Sequence, residues 1–523
     1  MSLFAFGTLN YFILGVYLAA MFATGLLLAG KQKTTEDYFL AGRSMPWWVV
    51  GISMFASLTS AASYMGIPGY GYDNDIAWIA IGPVSFLMAP FLAWFFYPFY
   101  RALGVTTSYA YIALRFGEMA RITVSGLFLL ARLGWLGVVI YAPALALSTV
   151  TGMNLYLSII LMALLATSYT ALGGLSAVLW TDVLQFVILV GGAVWIAVTL
   201  VQQVPEGFAG IHAAALEAGH YDALSWNVSL FELTVPVVVF SFIWMLMQDY
   251  GTDQVTVQRL LAVRRDSGVA KAILFNGLTD LTMMTLLLFI GVGMYAYYQH
   301  NPDTGIAELQ QKMGTNQIGD KMLPYYIISV LPTGISGLLI SGIFAAAMSS
   351  MDSGINSVST VIVNDFIKPW RRWCGRDEVR STDVTLARLL TVVLGMFAMV
   401  ASFIVALTKT KILAASSTIL GLFAGPILAL FLLGMLSRRG SFLGWLVGMP
   451  LGIGVAAWLS LAKFGPNNDL KVHFLWIFPI CFGTTLVVGY LASLCLGAPP
   501  TDARLTIWGR SELKEKSPAS ENP

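Results

Sequence analysis

The chain has 523 residues, 57% of them hydrophobic and 11% charged, with a formal net charge of +2, where a soluble domain is about a quarter charged. Apolar runs of about 20 residues recur from end to end, long enough to cross a hydrocarbon core of about 30 Å as helices, so the composition is that of an all-α integral membrane protein with one membrane domain. The small net charge leaves no footprint for nucleic acid, and the scattered cysteines Cys374, Cys481 and Cys495 have no metal-ligand spacing and make a poor disulfide framework.

The first apolar run, Leu9 to Gly30, has no basic leader or small-residue cleavage site and is longer than a signal-peptide core, so it reads as a retained helix, span 0. Spans 1 and 2 start near Trp47 and Ile76, and spans 3, 4 and 5 near Ile122, Leu155 and Leu175. Spans 6 to 10 start near Leu233, Lys271, Leu323, Val384 and Ile412, and spans 11 and 12 near Phe442 and Phe474, which makes about 13 helices in residues 1–498. Residues 499–523 form a polar Ser/Glu/Pro-rich tail, expected to be disordered.

Basic residues set the expected orientation. Lys31, Lys33 and Arg43 follow span 0; Arg101, Arg115 and Arg121 follow span 2; Arg259, Arg264, Arg265 and Lys271 follow span 6. Lys368, Arg371, Arg372, Arg376 and Arg380 follow span 8, and Arg438 and Arg439 follow span 10, whereas the segment from Gln202 to Asn227 has no Lys or Arg. The positive-inside rule puts the basic connections and the C-terminal tail in the cytoplasm and the N-terminus outside.

Spans 1 and 6 are interrupted, at Gly66-Ile-Pro-Gly-Tyr-Gly and at Gln248-Asp-Tyr-Gly-Thr-Asp-Gln, as transporter binding helices are. They open two successive blocks of five spans, residues 47–204 and 231–436, flanked by helices at 9–30, 442–462 and 474–496. An odd block size inverts the second block relative to the first, so the pattern is that of a 5+5 inverted-repeat transporter.

Two charges lie deep within spans. Asp352, on span 8, shares one helix face with Ser349, Ser353 and Asn356. A carboxylate with hydroxyls supplies the hard oxygen ligands that a small cation prefers, and an ionisable group at the bilayer centre costs roughly 2.5 to 3.5 kcal/mol on insertion scales. The alternative is a polar stitch between helices. Arg132 lies well inside span 3 and needs compensation, either from a solute carboxylate held by two hydrogen bonds or from a neighbouring helix.

The segments Gly42-Arg-Ser-Met-Pro-Trp-Trp, Gly137-Val-Val-Ile-Tyr-Ala-Pro-Ala-Leu, Ala171-Leu-Gly-Gly-Leu-Ser-Ala-Val-Leu-Trp-Thr-Asp-Val-Leu-Gln and Asp253-Gln-Val-Thr-Val-Gln-Arg resemble the sodium:solute symporter family, nearest the branch that carries iodide, monocarboxylates, anionic vitamins and sialic acid. The resemblance implies a LeuT-type fold and Na⁺-coupled alternating access in a multi-pass protein of the bacterial inner or plasma membrane. It implies a main Na⁺ site from Ala56 and Thr59 of span 1 with Ala346, Ser349 and Ser350 of span 8. A second Na⁺ site, found in some members, maps to Asp182, Ser349, Asp352 and Ser353. Asp352 departs from the pattern, because members with that site carry Ser or Thr there. A second carboxylate strengthens cation binding or holds a proton, since like charges close together disfavour double ionisation. The alternative for Asp182 is an anion that stabilises a helix N-terminus.

For the solute, the resemblance points to Ser57, Ser60 and Ser63 beside the break in span 1. Sugar-carrying relatives need a glutamine where Ser63 stands, so an organic anion is expected over a sugar. Sialic acid carriers use an arginine on span 3 at the position of Trp135, one turn from Arg132. The expected protein is a monomeric Na⁺-coupled importer of a small organic solute in a lipid bilayer, with proton coupling, mixed Na⁺/H⁺ coupling and sugar symport as alternatives. It is not expected to be an enzyme: His212, His220, His300 and His473 fall in loops or at a span end, and no nucleophile and base pair lies inside a span.

Overall fold

The computed structural model describes residues 7–29, 35–103, 105, 107–222, 226–313, 318–375, 380–408, 412–464, 470–497 and 502–509. Among these, nine helices are long and apolar enough to cross a membrane, and two bent pairs make eleven. The shorter apolar helices Thr8–Thr24 and Leu155–Leu165 lie where the sequence predicts spans 0 and 4.

We number the principal helices in chain order: α1 Thr8–Ala29, α2 Trp47–Leu58, α3 Ala61–Asp73, α4 Ile81–Phe95, α5 Glu118–Thr151, α6 Leu155–Gln203, α7 Val235–Gly251, α8 Gln254–Leu261, α9 Asp266–His300, α10 Ile335–Val361, α11 Arg380–Thr408, α12 Ile412–Leu436, α13 Phe442–Leu461 and α14 Ile477–Cys495. Helix α6 holds spans 4 and 5 as one kinked element: Gly174 bends it at φ 58°, ψ −173°, a conformation that only glycine adopts without strain. The order is that of a LeuT-type 5+5 inverted repeat, with α2/α3 and α7/α8 as the broken first helix of each half.

Both breaks have local causes. Helix α2 ends where Thr59 leaves helical geometry at φ −83°, ψ 84°, and α3 restarts behind an extended Ser60 whose side chain accepts from the Ser63 N–H, satisfying one orphaned donor of the new helix. The two axes differ by 60°. The break therefore precedes the Gly66-to-Gly71 motif, where the sequence places it. That motif is helical, with Pro68 inside α3. Gly69 serves close packing, since a Cβ there would lie 2.5 Å from the Gly319 carbonyl carbon. Between α7 and α8 the bend is 51°, and Asp253, extended, caps α8 by accepting from the Val255 N–H at 2.8 Å.

Span 8 starts later than its expected origin near Leu323. Gly319–Val330 is a separate short helix that stops before Pro332, and α10 begins after Gly334 at φ 95°. A proline disfavours helical geometry in the residue before it, and the positive φ at Gly334 redirects the chain. Helix α10 is central: the span it opens, Ile335–Arg371, is 89% buried over its apolar window, against 28% for Arg388–Leu407 and Phe442–Leu461. Its first N–H groups are held by α1, where Asn10 Oδ1 accepts from Gly334 N at 2.7 Å and from Gly337 N at 3.0 Å.

At the other end of the chain, α13 and α14 pack through Gly444, Gly448 and Gly452. A Cβ on Gly448 would meet the Thr485 carbonyl at 2.5 Å and the Gly489 nitrogen at 2.7 Å, the small-residue interface expected where lipid supplies no hydrophobic drive. The tail departs from the expected disorder at residues 502–509, which form the short turns Ala503–Leu505 and Ile507–Gly509. Their backbone and side-chain groups find partners on the bundle: Tyr111 donates to the Leu505 carbonyl at 3.1 Å and Trp508 Nε1 to the Leu436 carbonyl at 2.9 Å. Residues 510–523 lie outside the described residues.

Asn10→Ala removes the acceptor for the Gly334 and Gly337 N–H groups at the start of α10 and is expected to cost about 1 to 2 kcal/mol. Thermal unfolding of the purified variant in detergent checks this, with a melting temperature below wild type as the expected outcome.

Candidate ion and solute site

A helix that ends inside a membrane leaves its last carbonyls without intrahelical donors. At the end of α2, two of these are taken up by serines of α10. Ser349 Oγ donates to the Ala56 carbonyl at 2.7 Å and to the Ala346 carbonyl at 3.1 Å, and Ser350 Oγ donates to the Ser57 carbonyl at 3.0 Å. Ala56, Ala346, Ser349 and Ser350 are completely buried. Carbonyl and hydroxyl oxygens from two helices thus face each other across one dry seam. These carbonyls and hydroxyls are neutral oxygen ligands of the kind that a hard cation of low charge accepts. Thr59 stands at the break itself, and its N–H donates to the Phe55 carbonyl at 2.8 Å.

Of the residues expected at a second ion site, Ser349, Ser353 and Asp182 fall in one cluster, and Asp352 is completely buried on the same helix as the two serines. Ser353 Oγ donates to the Ser349 carbonyl at 2.5 Å and shares a 2.8 Å hydrogen bond with Ser57 Oγ. Asp182, fully buried on α6, accepts from Ser53 Oγ. Its other oxygen, Oδ1, accepts no hydrogen bond among the described residues.

A cation of the protein already sits in this cluster. Arg259, on α8, is 1% exposed. It donates from Nε to Ser53 Oγ at 2.9 Å and from Nη2 to Ser353 Oγ, and it reaches Asp182 Oδ2 at 3.7 Å. The sequence reading counts Arg259 with the cytoplasmic basic residues after span 6. The structure corrects this: the break before α8 turns that half-helix inward, and Arg259 faces the core while Arg264 and Arg265 stay outside the helix. Both Asp182 and Asp352 lie within its electrostatic reach.

The structure also relocates Arg132. Its Nη2 forms a buried ion pair with Asp253, the cap of α8, and its guanidinium lies 4.5 Å over the Trp135 ring, a cation–π contact. Neighbouring protein groups thus compensate the charge that the sequence leaves open.

A cavity of about 150 Å³ opens at the two helix breaks, lined by Thr59 and Ser63 from the α2/α3 break, Asp249 and Leu246 from α7, Ser85 from α4, and Asp280 and two methionines from α9, with Trp78 and Phe242 among its apolar walls. Of the expected solute contacts only Ser63 lines it; Ser57, Ser60, Arg132 and Trp135 do not. Asp249 and Asp280 were missed from sequence. Asp280 carries the same signal as Asp352, a carboxylate in an apolar run, whereas Asp249 lies inside the motif read as a helix break. Asn276, one turn before Asp280, donates to its Oδ2 at 3.0 Å.

With this geometry in place, comparison with known proteins is direct. Residues 38–452 match the sodium:solute symporter family model. A sodium/sialic acid symporter of Aliivibrio fischeri is 32% identical over 94% of this chain and 94% of its own, and one from Proteus mirabilis is 32% identical over 91% and 93%. The solved structure of a Na⁺-coupled sialic acid symporter in a substrate-bound outward-open state, described as having a novel Na⁺ site, superposes with a TM-score of 0.83 at 29% identity, covering 95% of this chain and 99% of that one. The chain belongs to the sodium:solute symporter family, as a multi-pass membrane protein with the LeuT-type fold that works as a sodium-coupled symporter of a small organic solute and not as an enzyme.

Proposed function

We propose that Na⁺ binds in the seam between α2 and α10, at the carbonyls of Ala56, Thr59 and Ala346 and the hydroxyls of Ser349 and Ser350, and that this ion drives import of an organic acid. The observation that carries the reading is the pairing of the Ser349 and Ser350 hydroxyls with the Ala56 and Ser57 carbonyls. Each hydroxyl can rotate its proton away and turn a lone pair toward a cation that the carbonyl also faces. An ion there ties the end of α2 to α10, and because the same break lines the cavity, it orders the solute pocket. That is a population shift by differential affinity. Each Na⁺ moving inward contributes about 2.3 kcal/mol per 100 mV.

The solute class is supported by the sialic acid symporters to which the chain is similar and by the N-terminal end of α3 near Ser63, whose dipole favours an anionic group. Asp182, Asp352, Ser349 and Ser353 form a second cation site. Two carboxylates against one guanidinium leave one negative charge for a Na⁺ or a proton to neutralise. The basic connections support an N-terminus outside and a C-terminus in the cytoplasm, with the monomer as the transporting unit in the bilayer. Arg132 acts structurally, by holding the cap of α8 through Asp253.

Three measurements test this reading. Ser350→Ala removes one oxygen ligand and should raise the Na⁺ concentration for half-maximal uptake about tenfold, the equivalent of about 1.4 kcal/mol; wild-type sodium dependence in proteoliposomes would rule out the seam. Asp352→Asn should lower the steepness of sodium activation, while an unchanged curve would give Asp352 a structural role only. Arg132→Met leaves Asp253 buried without its partner and should destabilise the protein by about 3 to 5 kcal/mol, with part of the loss recovered in the double variant with Asp253→Asn. Loss of solute binding at unchanged melting temperature would instead put Arg132 in contact with the solute.

A further inference from the structure

We infer that the solute carries a cationic nitrogen, protonated or quaternary, seated between Asp249 and Asp280, so that the organic acid of the symport reading is a zwitterion of amino-acid or betaine type. The inference rests on that reading for the place of the cavity in the transport path.

Its basis is the charge of the cavity. Two carboxylates line it and no Lys, Arg or His does. The buried arginines nearby are committed elsewhere, Arg132 to Asp253 and Arg259 to Asp182. Among the described residues Asp249 forms neither a hydrogen bond nor an ion pair although it borders the cavity, and the Arg132 guanidinium, already paired with Asp253, acts on it only at longer range. A carboxylate at membrane depth without a partner is costly, and a cation arriving with the solute removes that cost. The backbone adds the same sign, because Asp249 sits in the last turn of α7 and Leu58 and Thr59 end α2. Both half-helices turn the negative ends of their dipoles toward the cavity.

The walls select an organic cation over a bare metal ion. Nine of the fourteen lining residues are apolar, a wall that suits the carbon skeleton of an organic solute. Trp78 and Phe242 stand edge to face with centroids 5.9 Å apart, beside Met283 and Met284. Aromatic faces and polarisable thioethers are the surroundings in which alkylated ammonium groups bind. The N-terminal end of α3 at Ser63 lies on the same cavity and suits the carboxylate of the same molecule. One solute with both charges therefore satisfies both ends of the cavity.

The test uses the full-length protein in lipid nanodiscs. Binding of alanine, proline and glycine betaine is compared with binding of lactate, pyruvate and N-acetylneuraminate, in sodium and in choline, by calorimetry and thermal shift. At least one ammonium-bearing compound should bind in sodium, while the acids without a cationic nitrogen should not. Asp249→Asn and Asp280→Asn should each weaken that binding at least tenfold and keep the thermal shift produced by Na⁺ alone, which shows that the variants are folded and that the ion site is intact. Binding of N-acetylneuraminate or lactate with no ammonium compound bound would overturn the inference, as would failure of all three ammonium compounds. Variants that change only the Na⁺ response would overturn it too, by assigning the carboxylates to ion coupling. Absence of any Na⁺-induced shift in the wild type would strike the symport reading itself, a different result from all of these.

Discussion

The constraint on which the rest depends is the unsatisfied backbone at the end of α2. In water a broken helix is hydrated. At membrane depth its carbonyls must find donors within the protein, and here Ser349 and Ser350 supply them to Ala56 and Ser57. That obligation fits the deep enclosure of the span that α10 opens, 89% buried over its apolar window. The hydroxyls that satisfy the carbonyls are also the groups that a cation can recruit. One arrangement thus satisfies the broken backbone and supplies the oxygens on which the proposed sodium site rests.

Charge follows a similar logic at larger scale. Of the three arginines buried among the described residues, Arg115 meets backbone carbonyls and two are met by an aspartate at a helix break or on a facing helix: Arg132 by Asp253, Arg259 by Asp182. Both pairs converge on α8, one through its cap and one through its last turn. Buried pairs of this kind add little net stability over apolar packing, yet breaking one is expensive. They hold the half-helix in one orientation. Asp249 and Asp280 differ in lining the cavity instead of meeting an arginine in an ion pair among the described residues.

Much of this was legible in the sequence, for reasons that can be stated. The spans were readable because a bilayer demands apolar runs, and the stripe from Ser349 to Ser353 because helical spacing is regular. The second break was readable from polar residues at Gln248 to Gln254. The first was displaced, because glycine and proline drew attention to residues 66 to 71 while the capping Ser60 carried the break. Arg259 was misplaced because hydropathy treats a basic residue after a span as a membrane-face residue and cannot see that a bend of 51° turns it inward. Arg132 was correctly seen to need a partner, but Asp253 lies 121 positions away, beyond any local pattern. The solute cavity was the least legible part, since its lining comes from several helices whose faces meet only in three dimensions.

The contact from Asn10 to the start of α10 has a mechanical side. Helix α1 lies outside both repeats, and nothing in a five-plus-five scheme obliges it to follow either. By accepting two N–H groups at the start of α10, its amide couples the two as one body: when α10 tilts, α1 travels with it or the first turn of α10 frays. An extra helix at the margin of the bundle thereby becomes mechanically joined to its centre, and lipids pressing on that margin gain a lever on the helix that carries the proposed ion site.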